Sequence, residues 1–280
     1  MLPNVSEYYK PATMQEALRL LRRRGVPTVP LAGGTHLLTR RDPGVQALVD
    51  LSGLGLNYIR QGADNLEIGA MTTLQSLATS PVLTDVAGGL LATAAHCTAT
   101  RTIRNMATIG GSVVSSGPAT DIVVALLVLD ASIRTATGKR FRLHDYLQNG
   151  RLQRQRHVFV EVQVPLTTVT WRSAFCRVAR LPSDEAIVNV AVALRYENGL
   201  CQDVHLAAGG VGTVPVRLPV AEGLLLGTPL TQADIERAIS LQQNTVEPLS
   251  DIHGSAEYRR AMLAVLLRRA VQQCVDGRQG

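Results

Sequence analysis

The sequence predicts a three-part chain of mixed helices and strands: a β-α-β unit, a second segment of strands and helices, and a third of strands followed by helices. Three observations carry this expectation. Helical and alternating apolar patterns interleave over the first two-thirds of the chain. Three strand-like segments then follow one another after Trp171, and the pattern turns helical beyond Pro219. Apolar residues make up 46% of the 280 and charged residues 18%, enough to build packed cores and too apolar for disorder.

The first unit is predicted over 1–55. Thr13, with Glu16 three residues on, forms a capping box. Ala17, Leu18, Leu20 and Leu21 supply the apolar stripe of the helix. The triplet Arg22-Arg23-Arg24 suits its negative end, and Gly25 stops it. Thr28–Ala32 reads as a strand running into Gly33-Gly34, and Ala47–Leu51 as another, so a β-α-β unit occupies this part.

The second unit is predicted over 56–170. Leu66–Ala70 is a strand, and Thr72 or Thr73 caps a helix through Leu77. Pro81–Thr98 reads as one helix, and Thr108–Ser116 as loop plus strand. Asp121–Leu129 is too apolar to be amphipathic and predicts a buried helix. Ser132–Thr137 and Arg140–Leu143 form a hairpin at Gly138, and Val158–Val164 is a strand ending at Pro165.

The third unit is predicted over 171–280. Ser173–Ala179, Ala186–Tyr196 and Leu200–Ala208 are strands, the last two joined at Asn198-Gly199. Helices follow over Val220–Leu226, Thr231–Gln242 and Ala256–Val275. Tyr258, Met262, Val265, Leu266 and Ala270 form the predicted inner face of the last.

Composition narrows the function classes. The net charge of +6 is scattered, and the densest runs, Arg22–Arg24 and Arg151 to Arg156, are not interleaved with aromatics, which argues against nucleic acid. Cys97, Cys176, Cys201 and Cys274 are far apart and form no C-x-x-C, so no metal or iron–sulfur ligand signature is present. The N-terminus lacks the pattern of a signal peptide and the longest apolar run, Ile122–Leu129, is too short to span a bilayer. A cytoplasmic protein with reduced thiols and no membrane insertion is expected. His96, His144, His157, His205 and His253 stand apart from any obvious nucleophile, so no catalytic acid or base is assigned.

Two glycine pairs carry chemistry. In Ala32-Gly33-Gly34-Thr35-His36-Leu37, two glycines after a strand allow a turn with positive φ and leave no side chain in the way. Successive backbone N–H groups can then converge on one anion, with the Thr35 hydroxyl beside them. Thr108-Ile109-Gly110-Gly111-Ser112 repeats the design, with Arg101, Arg104 and Asn105 upstream to suit a phosphate and Asp121 downstream to suit sugar hydroxyls. Each pair alone also fits an ordinary turn. Neither is a G-x-G-x-x-G fingerprint or a Walker loop.

Around these pairs the chain resembles the FAD-binding medium subunit of molybdenum hydroxylases, the group of xanthine dehydrogenase, carbon monoxide dehydrogenase and 4-hydroxybenzoyl-CoA reductase. The resemblance rests on LAGGTHLL (31–38), TIRNMATIGGSVV (102–114) and GPATDIVVALLVLDA (117–131). It extends through YYKPATMQEALRLL (8–21), LEIGAMTTLQSLATSP (66–81), VEVQVP (160–165), DEAIVNVAVAL (184–194) and EYRRAMLAVLLRRA (257–270), in that family's order.

The resemblance implies the flavin fold of the vanillyl-alcohol-oxidase type, with a small α/β subdomain, a larger one with a mixed sheet, and an α+β C-terminal domain. FAD would lie between the first two. Ala32, Gly33, Gly34, Thr35, His36 and Leu37 match the first FAD loop, and Thr108, Ile109, Gly110, Gly111 and Ser112 the second. Asp121 matches the acid that follows, Phe159 or Val160 an apolar contact, and Arg177 a position near the isoalloxazine where relatives often carry Lys. His36 and Ser112 depart from the residues usual in the family, Asp and Asn or Asp. The resemblance also implies a large molybdopterin subunit and a small subunit with two [2Fe-2S] clusters as partners, in a dimer of heterotrimers. Electrons would pass from those clusters through FAD to an acceptor. The alternatives weighed are a flavin-free scaffold and a nucleotide-binding regulatory subunit.

Overall fold

The computed structural model describes residues 2–40, 42–148, 158–166 and 171–277. The Arg151 to Arg156 run and His157 lie outside the described residues. Three sheets follow one another along the chain.

The first is parallel, in the order β1-β3-β2, with β1 (Glu7–Tyr9), β2 (Thr28–Leu31) and β3 (Ala47–Asp50). Helix α1 (Met14–Leu21) makes the crossover from β1 to β2, its N-terminus capped by the Thr13 hydroxyl on Glu16 N–H. β1 went unread in the sequence, because three residues carry too little alternation. Ala17 and Leu20 of α1 pack on Val49 and Leu51. Beyond β2, Gly34 takes φ +72° and turns the chain sharply.

The second sheet has the order β4-β5-β8-β6-β7, from β4 (Ile59–Gln61), β5 (Asn65–Gly69), β6 (Ser132–Thr135), β7 (Arg140–Arg142) and β8 (Phe159–Pro165). Every pair is antiparallel, not mixed as the resemblance implied. β5 and β6 do run in one direction, but β8 returns between them and bonds to both. The excursion from β5 to β6 carries α2 (Leu74–Ala78), α3 (Pro81–Thr84), α4 (Leu90–Cys97), α5 (Arg101–Arg104), α6 (Ile109–Val114) and α7 (Asp121–Val128); α8 (Leu143–Gln148) follows β7. The single helix expected over Pro81–Thr98 is broken, because Ala87, Gly88 and Gly89 all have positive φ. The strand expected after Gly111 is instead α6. Thr108 caps it through Gly111 N–H, and Ile109 and Val113, two of the β-branched residues that suggest a strand, fill its inner face. All eight residues of α7 are buried, as expected. This helix lies in a core that also receives Ala191, Ala193 and Ala207 of the third sheet.

The third sheet is antiparallel, in the order β12-β11-β10-β9, with β9 (Arg172–Val178), β10 (Val188–Glu197), β11 (Leu200–Gly209) and β12 (Val216–Arg217). Asn198 and Gly199 both take positive φ, as a two-residue hairpin turn of this type demands. Helices α9 (Pro219–Leu225), α10 (Gln232–Gln243) and α11 (Ala256–Val275) cover one face. The inner face of α11 is rotated from the expected one: Arg259, Leu263, Leu266, Leu267, Ala270, Val271 and Cys274 are buried, whereas Tyr258 is exposed. Arg259 explains the shift. Its guanidinium is clamped by both Asp251 carboxylate oxygens and by the Ile187 carbonyl, so a charged residue holds a core position that periodicity reserves for an apolar one. No helix among the described residues is long and apolar enough to cross a membrane.

Candidate functional site

The two glycine pairs meet in space. A methyl group on Gly33 would sit 1.7 Å from the Met106 carbonyl oxygen and 3.2 Å from Ala107 Cα, so the first loop lies directly on the chain entering α6. The place of a Gly111 methyl is 3.9 Å from Ala32 Cβ, so the start of α6 faces the end of β2.

Their backbone donors differ sharply. In the first loop no described residue accepts a hydrogen bond from the N–H of Gly33, Gly34, Thr35, His36 or Leu37. Nor does the Thr35 hydroxyl have a described partner. Five consecutive amides and a hydroxyl are thus unspent in a segment that is mostly half-buried. Leaving so many donors unpaired is unfavourable unless water or a ligand takes them. In the second stretch the donors are consumed. Ile109 N–H donates to the Thr72 carbonyl at 3.0 Å and Gly110 N–H to Ala70 at 3.0 Å. Gly111 N–H donates to Thr108 Oγ1 at 3.1 Å and Ser112 N–H to the Thr108 carbonyl at 2.9 Å. Gly110 is glycine because a methyl there would meet Ala70 at 2.7 Å. The Ser112 hydroxyl has no hydrogen-bond partner among the described residues. The first loop therefore fits a diphosphate through amides, and the second fits as the wall behind it.

The charged residues sort in the same way. Arg104 is buried and donates to the carbonyls of His96, Thr98 and Ala99 and to Gln75 Oε1, so it braces the left-handed turn at Ala99 rather than reaching a ligand. Asp121, the first residue of α7, is 5% exposed. Asn189 of β10 donates to one of its oxygens, and Arg177 Nε faces the other at 3.6 Å. Burial pushes the Asp121 carboxyl up to about 6, against the pull of Arg177 and of Asn189. Arg177 also donates to the carbonyls of Cys97, Pro182 and Asp184, pinning the 180–185 loop of the third sheet to the end of α4. Phe159 stacks edge-on against Tyr146, ring centroids 5.0 Å apart, inside the core. The Val160 carbonyl accepts from Ala70 N–H at 2.9 Å, holding β8 to the segment on which Gly110 rests.

His36 is exposed at the loop's edge. Burial of its ring and the nearby Arg40 lower its pKa, and Glu185 acts in the opposite direction. Burial raises the thiols, Cys201 to about 11 and Cys274 to about 12, so both are protonated near neutrality. Sequence reasoning missed two participants, Asn189 and Glu185. Asn189 carried a signal, a lone amide inside the apolar run Val188–Leu194, and such a buried group needs a polar partner.

Residues 4–167 match the FAD binding domain in molybdopterin dehydrogenase. The chain belongs to this family. Residues 173–274 match the CO dehydrogenase flavoprotein C-terminal domain, so both family parts are present in order. The carbon monoxide dehydrogenase medium chain of Afipia carboxidovorans is 29% identical over 282 residues, covering 98% of each chain. The 6-hydroxypseudooxynicotine dehydrogenase complex subunit alpha of Paenarthrobacter nicotinovorans is 30% identical, covering 98% of this chain and 96% of that one. A chain of carbon monoxide dehydrogenase from Hydrogenophaga pseudoflava superimposes with a TM-score of 0.92 at 28% identity, covering all of both chains. Like other members of the family, this chain is an oxidoreductase subunit with an FAD-binding domain followed by the flavoprotein C-terminal domain.

Proposed function

We propose that the chain is the FAD-binding electron-transfer subunit of a multisubunit molybdenum hydroxylase. One observation carries the reading, the run of five unspent amides from Gly33 to Leu37 at the close approach of Gly33 to Met106. Neutral amides suit a pyrophosphate because they stabilise its charge without requiring a buried lysine. Bound FAD supplies the redox chemistry, as carrier between the iron–sulfur clusters of a partner subunit and an acceptor.

This chain's own groups hold and shield. The amides of Gly33, Gly34, Thr35, His36 and Leu37 take the diphosphate, with the Thr35 hydroxyl and the Ser112 hydroxyl beside it. Ala32, Thr108, Ile109, Gly110 and Gly111 form the wall that fixes the loop. Asp121 and Arg177 act from behind, tying α7, α4 and the 180–185 loop into one support. Phe159 and Val160 hold the sheet beneath. The same proposal includes the units 1–55, 56–170 and 171–280. It also includes a large molybdopterin subunit and a small [2Fe-2S] subunit, two copies of each with two of this chain, in the cytoplasm.

The visible spectrum of the purified protein, before and after added FAD, tests the reading. Flavin bands that persist through gel filtration are expected. A protein without them that gains none on titration ends the redox role of this chain.

A further inference from the structure

Asp121 is the acid that the sequence offers to sugar hydroxyls, and the structure turns it inward to Asn189 and Arg177. Another carboxylate stands free. Glu185 is exposed, and no described residue hydrogen-bonds to it. Its backbone is nevertheless fixed on both sides. Arg177 donates to the Pro182 and Asp184 carbonyls before it, and Ile187 N–H donates to the Val178 carbonyl after it at 2.8 Å. Glu185 Oε1 lies 3.1 Å from the place a methyl on Gly117 would take, so the carboxylate overhangs the turn from α6 into α7. It acts electrostatically on His36, in the amide loop, and on Asp121, making the first easier to protonate and the second harder to ionise. The carboxylate thus reaches the space between the first loop, the start of α7 and the third sheet.

We propose that Glu185 is a specificity-determining residue that accepts hydrogen bonds from adjacent hydroxyls of the bound nucleotide, a sugar ring or a sugar-alcohol chain. The inference rests on the FAD reading above. A fixed carboxylate beside a diphosphate site repels the ligand unless the ligand brings donors to it. Hydroxyls are the donors that a dinucleotide carries next to its phosphates, and the two oxygens of one carboxylate can serve two adjacent hydroxyls. The same charge disfavours a ligand with a further phosphate in place of a hydroxyl, which gives selectivity by repulsion.

The test titrates the full chain with FAD and with ADP, following flavin fluorescence and heat of binding, for the wild type, Glu185→Ala and Glu185→Gln. Glu185→Ala is expected to weaken FAD by about tenfold, and Glu185→Gln, which keeps one acceptor oxygen, by less. A loss shared by ADP assigns the contact to the ribose, and a loss seen with FAD alone assigns it to the ribityl chain. Unchanged melting curves check that both variants fold. Variants that bind FAD as tightly as the wild type, or more tightly, overturn the inference and leave the FAD reading standing. A wild-type chain that takes up no FAD overturns both.

Discussion

Replacing Gly33 by Ala tests the contact between the two glycine pairs. The added methyl would sit 1.7 Å from the Met106 carbonyl oxygen, a backbone atom with no rotamer to escape through. Ordinary carbon–oxygen contact begins at about 3.4 Å, so one segment must move by roughly 1.7 Å. Amide hydrogen bonds tolerate only a few tenths of an ångström before they weaken steeply. A displacement of that size misaims the amides of Gly33 to Leu37 together. Each hydrogen bond to a charged group contributes about 1.5–3 kcal/mol, so losing two lowers FAD affinity at least a hundredfold. Gly34→Ala is the matched control. Gly34 has φ +72°, which costs an alanine roughly 1–2 kcal/mol, but its nearest obstacle is the flexible Leu38 side chain at 3.1 Å. Fluorescence titration with FAD should rank wild type above Gly34→Ala and Gly34→Ala well above Gly33→Ala. A Gly33→Ala protein with wild-type affinity and melting temperature would show that the reasoning from this contact is mistaken.

Other outcomes follow from the same geometry. The Asp121 carboxyl is raised from 3.8 to about 6, a difference worth roughly 3 kcal/mol for this buried group. Because the folded state holds the proton more tightly, this stability is fully present below pH 4 and is lost as pH rises through 6. The wild type should therefore lose roughly 2 kcal/mol relative to Asp121→Asn between pH 4 and pH 7 in chemical denaturation; a constant difference contradicts the assignment. Arg104→Met removes the donor to three carbonyls and to Gln75, and should destabilise by about 3 kcal/mol. A melting temperature within a degree of wild type would show that Arg104 is not a brace.

Much of the fold was legible because local patterns and tertiary burial agree. Thr13 and Thr231 cap their helices, and Asn198-Gly199 turns its hairpin. α7 reads as buried because every residue after Asp121 is apolar. The failures share one cause, long-range contacts that override local preference. Ile109-Gly110-Gly111-Ser112-Val113-Val114 looks extended, yet Thr108 caps it as a helix held against Thr72 and Ala70. Arg259 occupies a core position because Asp251 and Ile187 meet it there. At the site, glycine spacing singles out both loops, whereas nothing local reveals that the amides of the second are already taken by Thr72, Ala70 and Thr108. Asp121 and Arg177 also have internal partners that no local pattern reveals, because Asn189 and the carbonyls of Cys97 and the 180–185 loop come from other elements.

The central claim is that the amides of Gly33 to Leu37 hold the diphosphate of FAD. Amide hydrogen exchange, resolved by residue with and without FAD, reads those groups directly. The account predicts fast exchange at 33–37 in the free protein and strong protection once FAD is bound. Exchange at these five amides that is slow from the start, or unchanged by saturating FAD, would contradict it.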